Sequence, residues 1–156
     1  MLIRAKINKI RQSEYLSLFC RLVIGLIFIY SGLTKVSFPG EFAFAIQNYQ
    51  ILPDSLTNFA ALLTPWLEIY CGLFLIAGIY QRASAILISG MLFVFIIALF
   101  SAMIRGLDIN CGCFGRETQI DWRRIVEDIA LLLLSAHLVF QPSRRFTLGS
   151  FFKRLA

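Results

Sequence analysis

The chain has 156 residues, of which 58% are hydrophobic and only 15% charged, and its mean hydropathy is +0.75. A soluble domain is about half apolar and a quarter charged, so the composition excludes an ordinary soluble fold and points to one membrane-embedded bundle. The formal charge of +6 and pI near 9.5 do not indicate a nucleic-acid protein. The basic residues sit at the chain ends and in loops, no groove-reading element accompanies them, and anionic lipid headgroups are the fitting counter-charge.

The chain opens with a basic tail, residues 1–14, in which Leu2, Ile3, Ile7 and Ile10 alternate with Arg4, Lys6, Lys9 and Arg11. It reads as a short amphipathic helix on an anionic inner leaflet or as a solvated tail. The first apolar segment covers about 15–34. It is too long for a cleaved signal and no small-residue cleavage site follows, so it reads as a retained signal-anchor. The loop 36–55 holds the breakers Pro39, Gly40 and Pro53, with Phe42, Phe44, Ile46 and Tyr49 between them; this predicts a short interfacial helix roofing the bundle. The second and third apolar segments cover about 56–79 and 83–104, joined by a tight turn at 80–82. Each of these three is about 20 residues or slightly more, which suits a hydrocarbon core of roughly 30 Å. A polar loop, 105–121, carries "NCGCFG" and ends at Asp121, which reads as the N-cap of a last helix. That helix, 122–140, is shorter and opens with charge, and a basic tail, 141–156, follows it. Continuous apolar runs of this length cross lipid as helices. The predicted fold is all-α, a single domain forming a four-helix transmembrane bundle, up-down-up-down.

An even number of spans puts both tails and the second turn on one side. That side carries nine Lys and Arg (Arg4, Lys6, Lys9, Arg11, Arg82, Arg144, Arg145, Lys153, Arg154). The other side carries five (Lys35, Arg105, Arg116, Arg123, Arg124). The positive-inside rule then places both termini in the cytoplasm and the "NCGCFG" loop on the outer face, where thiols can be oxidised.

Three readings of Cys111 and Cys113 compete. A Cys-x-Cys disulfide closes a very small ring. Gly112 eases the backbone, but the bond should be strained, and strained, exposed disulfides are the labile or catalytic ones. A structural clip gains little, because the entropic benefit grows with the loop closed. Structural zinc wants four ligands, and no further Cys or His lies on the outer side; two thiolates can still hold Cu(I). As a redox couple, one thiolate attacks and the other resolves, with Arg105 and Arg116 favouring the thiolate.

Cys20 and Cys71 lie roughly 7–8 Å and 12 Å from the inner helix ends at 1.5 Å per residue. They form either a second dithiol passing electrons across the bilayer or two small packing residues. Glu68, with Pro65 three residues before it, lies near mid-span, where an ionisable group is a functional hypothesis by default. It can handle thiol protons, bind a quinone headgroup, or cross-link helices through Lys35 or Tyr30; Arg21 is another cation in reach. Arg123–Glu127 and Arg124–Asp128 are i,i+4 pairs that read as surface pairing. His137 has no second axial candidate for a haem.

Five pieces of the chain, "YSGLTKVSFP", "YQILP", "TPWLEIYCGLFLIAG", "NCGCFG" and "DW..IVEDIALLLL", together resemble the MauE branch of the DoxX-like membrane proteins, from about Arg21 to Phe140. The resemblance implies a four-helix inner-membrane protein, multi-pass, serving disulfide chemistry in periplasmic protein maturation beside a thioredoxin-like partner. In methylamine utilisation the client is the disulfide-rich small subunit of methylamine dehydrogenase. The resemblance carries over Cys111 and Cys113 as the redox pair, and Lys35, Glu68 and Asp128 as motif polar residues. Two rival readings stay open: a quinone-coupled disulfide-generating oxidoreductase, although such enzymes use two outer cysteine pairs and this chain has one, and a non-enzymatic assembly factor or anchor with a clipped loop.

Overall fold

The computed structural model describes residues 2–51, 53–106 and 122–141, with side chains from Glu14 onward. Every regular element among them is an α-helix: α1 Leu2–Ser37, α2 Pro39–Asn48, α3 Asp54–Ala77, α4 Gln81–Ile104 and α5 Trp122–Phe140. The N-terminal tail is not a separate helix. α1 runs unbroken for 36 residues, about 54 Å against a hydrocarbon core of roughly 30 Å, because no proline interrupts it before Pro39.

The breakers act where the sequence placed them. Pro39 keeps Phe38 out of the helical region (φ −131°, ψ 65°) and opens α2. Pro53 stands at the N-cap of α3. α3 ends in a Schellman turn: Gly78 is left-handed (φ 73°), its amide donates to Leu75 O at 3.2 Å, and Ile79 N donates to Phe74 O at 3.0 Å. The chain then turns at once into α4.

α1 packs chiefly on α3 and α4 chiefly on α5, while α5 also meets α1 and α3 meets α4. Glycines bring α1 and α3 into backbone contact. A methyl on Gly25 would lie 2.5 Å from Ile76 and 3.0 Å from Gly72 O. One on Gly32 would lie 2.6 Å from Ile69 and 2.7 Å from Pro65 O, and one on Gly72 would lie 2.8 Å from Gly25 O. Small residues that let backbones touch are how lipid-embedded helices gain packing without a hydrophobic drive between them. These contacts fix an antiparallel register in which residue numbers on α1 and α3 at one level sum to about 99. α3 therefore begins about 12 Å beyond the end of α1, and α2 packs on the projecting part.

The buried core joins Cys20, Ile24 and Phe28 of α1, Cys71 and Leu75 of α3, Ala85, Ile88 and Leu92 of α4, and Leu138 of α5. The outer faces are apolar too: Phe19, Leu26, Leu62, Val94 and Leu133 are each more than 60% exposed, as lipid-facing residues are. Among the described residues, three helical segments are long and apolar enough to cross a membrane: Glu14–Ser37, Ser55–Ala77 and Gln81–Ile104. The chain is thus all-helical with several membrane spans. α5 falls outside that set, with Arg123, Arg124, Glu127 and Asp128 all in its first two turns.

The seam makes a clean prediction. Gly32→Ala meets the carbonyl of Pro65, which cannot rotate away, so the helices must part, at a cost of about 1–3 kcal/mol. Gly90 has nothing within 4 Å of an added methyl, so Gly90→Ala should be neutral or slightly stabilising. Detergent-unfolding midpoints of the two variants check this; equal midpoints would mean that the seam is not a tight contact.

Candidate functional site

Two of the charged residues that the helices bury lie toward the end of the bundle where α1 stops and α4 hands over to the third loop. Lys35 lies in the last turn of α1 and is 9% exposed; Glu68 of α3 is 6% exposed. Their side chains form a direct ion pair between Lys35 Nζ and Glu68 Oε1. The register explains the match. Glu68 is level with Ser31, whose hydroxyl also bonds it, and Lys35 one turn on reaches back to it along the helix. Glu68 thus sits about 9 Å inside the end of α1 and close to the middle of its own span, Ser55–Ala77. The Lys35 ammonium also lies 5.0 Å from the centroid of the Phe42 ring on α2.

α5 brings the third member. The expected i,i+4 surface pairs do not form as a set. Arg124 bonds Glu127 at 3.0 Å, an i,i+3 pair, and Arg123 lies over the Trp122 ring, 6.0 Å from its centroid. Asp128 turns inward, interacting electrostatically with Arg124, Glu127 and Lys35. Tyr49, 7% exposed, is its neighbour from the turn after α2. Burial and the Asp128 charge push the Tyr49 phenol up to about 12, so it remains a protonated donor. Glu68 Oε2 and Asp128 Oδ2 are buried with no hydrogen-bond partner among the described residues. Lys35 and Glu68, two separate motif positions in the sequence, are therefore in direct contact, and Asp128 is near enough to Lys35 to interact with it electrostatically. Ser31 and Tyr49 adjoin them; Ser31 is four residues before Lys35, on the same face, and Tyr49 opens the "YQILP" stretch.

Arg105 caps the same end. Its Nη1 donates to Tyr49 O at 3.0 Å and its Nη2 to Gln50 Oε1 at 2.9 Å, tying α4 to the Gln50 turn (φ 50°). Two guanidinium nitrogens expected to attend a thiolate thus brace the first loop. Cys111, Gly112, Cys113, Arg116 and Asp121 lie outside the described residues.

At the other end the structure separates what the sequence allowed to meet. Cys20 and Cys71 are both free thiols, 1% and 4% exposed. By the α1–α3 register Cys20 is level with about residue 79, eight residues and about 12 Å along the axis from Cys71. Disulfides need Cα separations of about 4.4–6.8 Å, so the two pack as core residues.

Arg21 is the residue whose importance the sequence reading passed over. It is fully buried, and its Nε and Nη2 donate to Leu75 O and Ile76 O, each at 2.9 Å. It thereby caps the C-terminal turn of α3. The signal was present, since a charge inside an apolar run marks a role, but nothing local named its partner. Nearby, Ser17 Oγ donates to Gln141 O at 3.1 Å, and Ser89 and Ser135 bond at 2.8 Å; these hold α5 to α1 and α4. No group of three His, Cys, Asp or Glu among the described residues could hold a metal ion.

Comparison with known proteins places these residues in a family. Residues 13–141 match the family described as methylamine utilisation protein MauE. The methylamine utilization protein MauE of Paracoccus denitrificans is 28% identical over 118 residues, 74% of this chain and 63% of that protein. MauE of Methylophilus methylotrophus is 27% identical over 130 residues, 81% of this chain and 68% of that protein. Protein TlpB of Flavobacterium psychrophilum is 25% identical over 152 residues, 90% of this chain but 41% of that protein. The match thus spans about two thirds of the MauE relatives. No solved structure matches the chain.

Proposed function

The chain belongs to the MauE family, and from that premise we propose that it is a thiol–disulfide redox protein of the bacterial inner membrane. Its partner is a thioredoxin-like protein, and its clients are periplasmic proteins whose disulfides must be formed, of the methylamine dehydrogenase type. The observation that carries this reading is the convergence of Lys35, Glu68 and Asp128 on the end of the bundle from which α4 leads into the Cys111–Cys113 loop and α5 returns. A protein that merely anchored a client would have no use for a buried ionic cluster there, since such groups are expensive in lipid.

We take α5 as the fourth span. Its 19 residues make about 28 Å of helix, it packs antiparallel along α4, and Val126, Ile129 and Leu133 face outward. Four spans with the positive-inside bias put both tails in the cytoplasm and the cysteines in the periplasm. The chemistry is exchange. One thiolate of the pair attacks the partner's disulfide, a mixed disulfide forms, and the partner's second sulfur leaves and takes up a proton. The remaining cysteine then attacks the mixed bond, which frees the partner as its dithiol and leaves Cys111–Cys113 oxidised. In the reverse sense a partner or client thiolate attacks the Cys111–Cys113 disulfide, its second thiolate resolves the mixed bond, and that protein leaves oxidised while Cys111 and Cys113 are left as the dithiol.

Cys111→Ser and Cys113→Ser test this together. In intact cells a membrane-impermeant maleimide should label the remaining thiol. One variant should accumulate a mixed disulfide with a thioredoxin-like protein, and client maturation should fall at least about tenfold, as loss of the attacking group in an exchange reaction requires. Client maturation at the wild-type level in both variants would leave the protein a non-enzymatic assembly factor.

A further inference from the structure

We infer that the lipid-facing side of α3 is a homodimer interface, on which a second copy of this chain docks in the same orientation through Trp66 and Tyr70. Phe59, Leu63, Trp66, Tyr70 and Leu73 of this helix are between 44% and 63% exposed. Their steps of four, three, four and three residues make the 3.5-residue period of a two-helix seam. The other side of α3 is already taken: Ile69 and Gly72 lie against α1, and Cys71 and Leu75 are in the core.

An apolar stripe facing lipid calls for no protein. What lipid cannot satisfy is the chemistry at the centre of this one. Trp66 is the middle residue of the span Ser55–Ala77, with eleven residues on either side, roughly 16 Å of helix, and Tyr70 is one turn from it. Tryptophan and tyrosine suit the membrane surface, where the ring meets lipid and the polar tip meets water; at mid-span only acyl chains surround them. Side chains of a helix lean toward its N-terminus, so Tyr70 leans onto Trp66, with stacked rings whose centroids are 6.2 Å apart, and away from the nearer end of the span. Neither the Trp66 indole nor the Tyr70 hydroxyl has a hydrogen-bond partner among the described residues. The exposed face of α4, with Ile86, Phe93, Val94, Ile97 and Phe100, carries no such polar tip.

A second copy meets this need with no other partner. The indole N–H only donates, whereas a phenol oxygen also accepts. Across a two-fold axis normal to the membrane, residue i meets j and j meets i. Trp66 of each copy then donates to the Tyr70 oxygen of the other, and both bonds form at once. Two copies inserted alike have the parallel α3 helices that this axis requires. The inference does not rest on the redox reading.

Energy transfer between full chains carrying a donor or an acceptor dye at one terminus, mixed in liposomes and diluted with lipid, tests it. The wild type should dimerise. Trp66→Phe and Tyr70→Phe keep the rings but each removes both bonds between the copies. The dissociation constant should rise roughly eightfold in either, from two bonds of the average strength found between membrane helices. The double variant should rise no further, because each bond needs both tips. Val94→Leu on α4 should change nothing. A photo-crosslinking phenylalanine analogue in place of Leu73 should join two copies, and in place of Val94 it should not. A monomer at every dilution, a dimer indifferent to both ring variants, or losses that add in the double variant would overturn the proposal. So would a cross-link from the Leu73 position, in native membranes, only to lipid or to a different protein.

Discussion

Glu68→Ala is expected to destabilise the bundle by about 3 kcal/mol, the lower end of what breaking a buried ion pair costs. The reason lies in what the deletion leaves behind. Lys35 Nζ is anchored in the last turn of α1, 9% exposed, and cannot reach water without unwinding that turn. Asp128, which already interacts electrostatically with Lys35, takes over part of the pairing, which keeps the loss from reaching about 5 kcal/mol. Glu68→Gln keeps a hydrogen-bond acceptor and should cost about 1 kcal/mol. The double variant Lys35→Met with Glu68→Leu should regain most of the stability, because a well-packed apolar pair of similar volume replaces a buried ion pair at little or no cost. If the pair serves chemistry, that double variant is stable and inactive. Unfolding in mixed detergent micelles, followed by helicity, gives the energies. Glu68→Ala within 0.5 kcal/mol of the wild type, on the order of an ordinary surface change, would mean that Lys35 is not held without Glu68.

Arg21→Met should cost about 2 kcal/mol and loosen the end of α3. Each charge-assisted hydrogen bond contributes about 1.5–3 kcal/mol in water-soluble proteins. Polar bonds between membrane helices average only about 0.6 kcal/mol, so two of them to helix-end carbonyls fall between these limits. The Gly78 and Ile79 amides already serve Leu75 O and Phe74 O, whereas the guanidinium serves Ile76 O. Removing it leaves that carbonyl bare in an apolar interior, where an unmet backbone group is costly. Arg21→Lys keeps the charge at the negative end of the helix dipole but not the fork that binds two carbonyls at once, and should fall between. Faster hydrogen exchange at the Gly78 and Ile79 amides is the specific readout. A methionine variant as stable as the wild type would show that the desolvation of a cation with no carboxylate partner among the described residues cancels its two bonds.

The two predictions concern the two residues that the sequence treated most differently. Glu68 stood out because a carboxylate in an apolar run is conspicuous. Arg21, equally conspicuous, offers from the sequence only one more cation within reach of Glu68. The structure gives them different partners: Glu68 pairs with Lys35, and Arg21 caps the C-terminal turn of α3. Tyr30, another candidate partner, is 57% exposed on the lipid face. Asp128 reads as half of a surface pair with Arg124, because i,i+4 spacing offers that pairing cheaply; Arg124 instead bonds Glu127, and Asp128 is half-buried and interacts electrostatically with Lys35 as well as Arg124. None of these outcomes is written in a local pattern.

What the sequence determined by itself was the set of long apolar helices and where the first loop breaks them. In lipid a backbone can satisfy its own polar groups only by coiling, so the long apolar runs had to be helical, and Pro39 and Pro53 had to mark places where coiling stops. The same runs placed the "NCGCFG" motif in the connection between α4 and α5. What only the tertiary structure decided was which residues on different helices meet. Periodicity gives each helix its faces but not its register against a neighbour, and here the register comes from non-local contact of Gly25, Gly32 and Gly72 across the α1–α3 seam. That contact puts Glu68 level with Ser31 and within reach of Lys35. It also holds Cys20 about 12 Å from the level of Cys71, and leaves Arg21 to close the far end of α3.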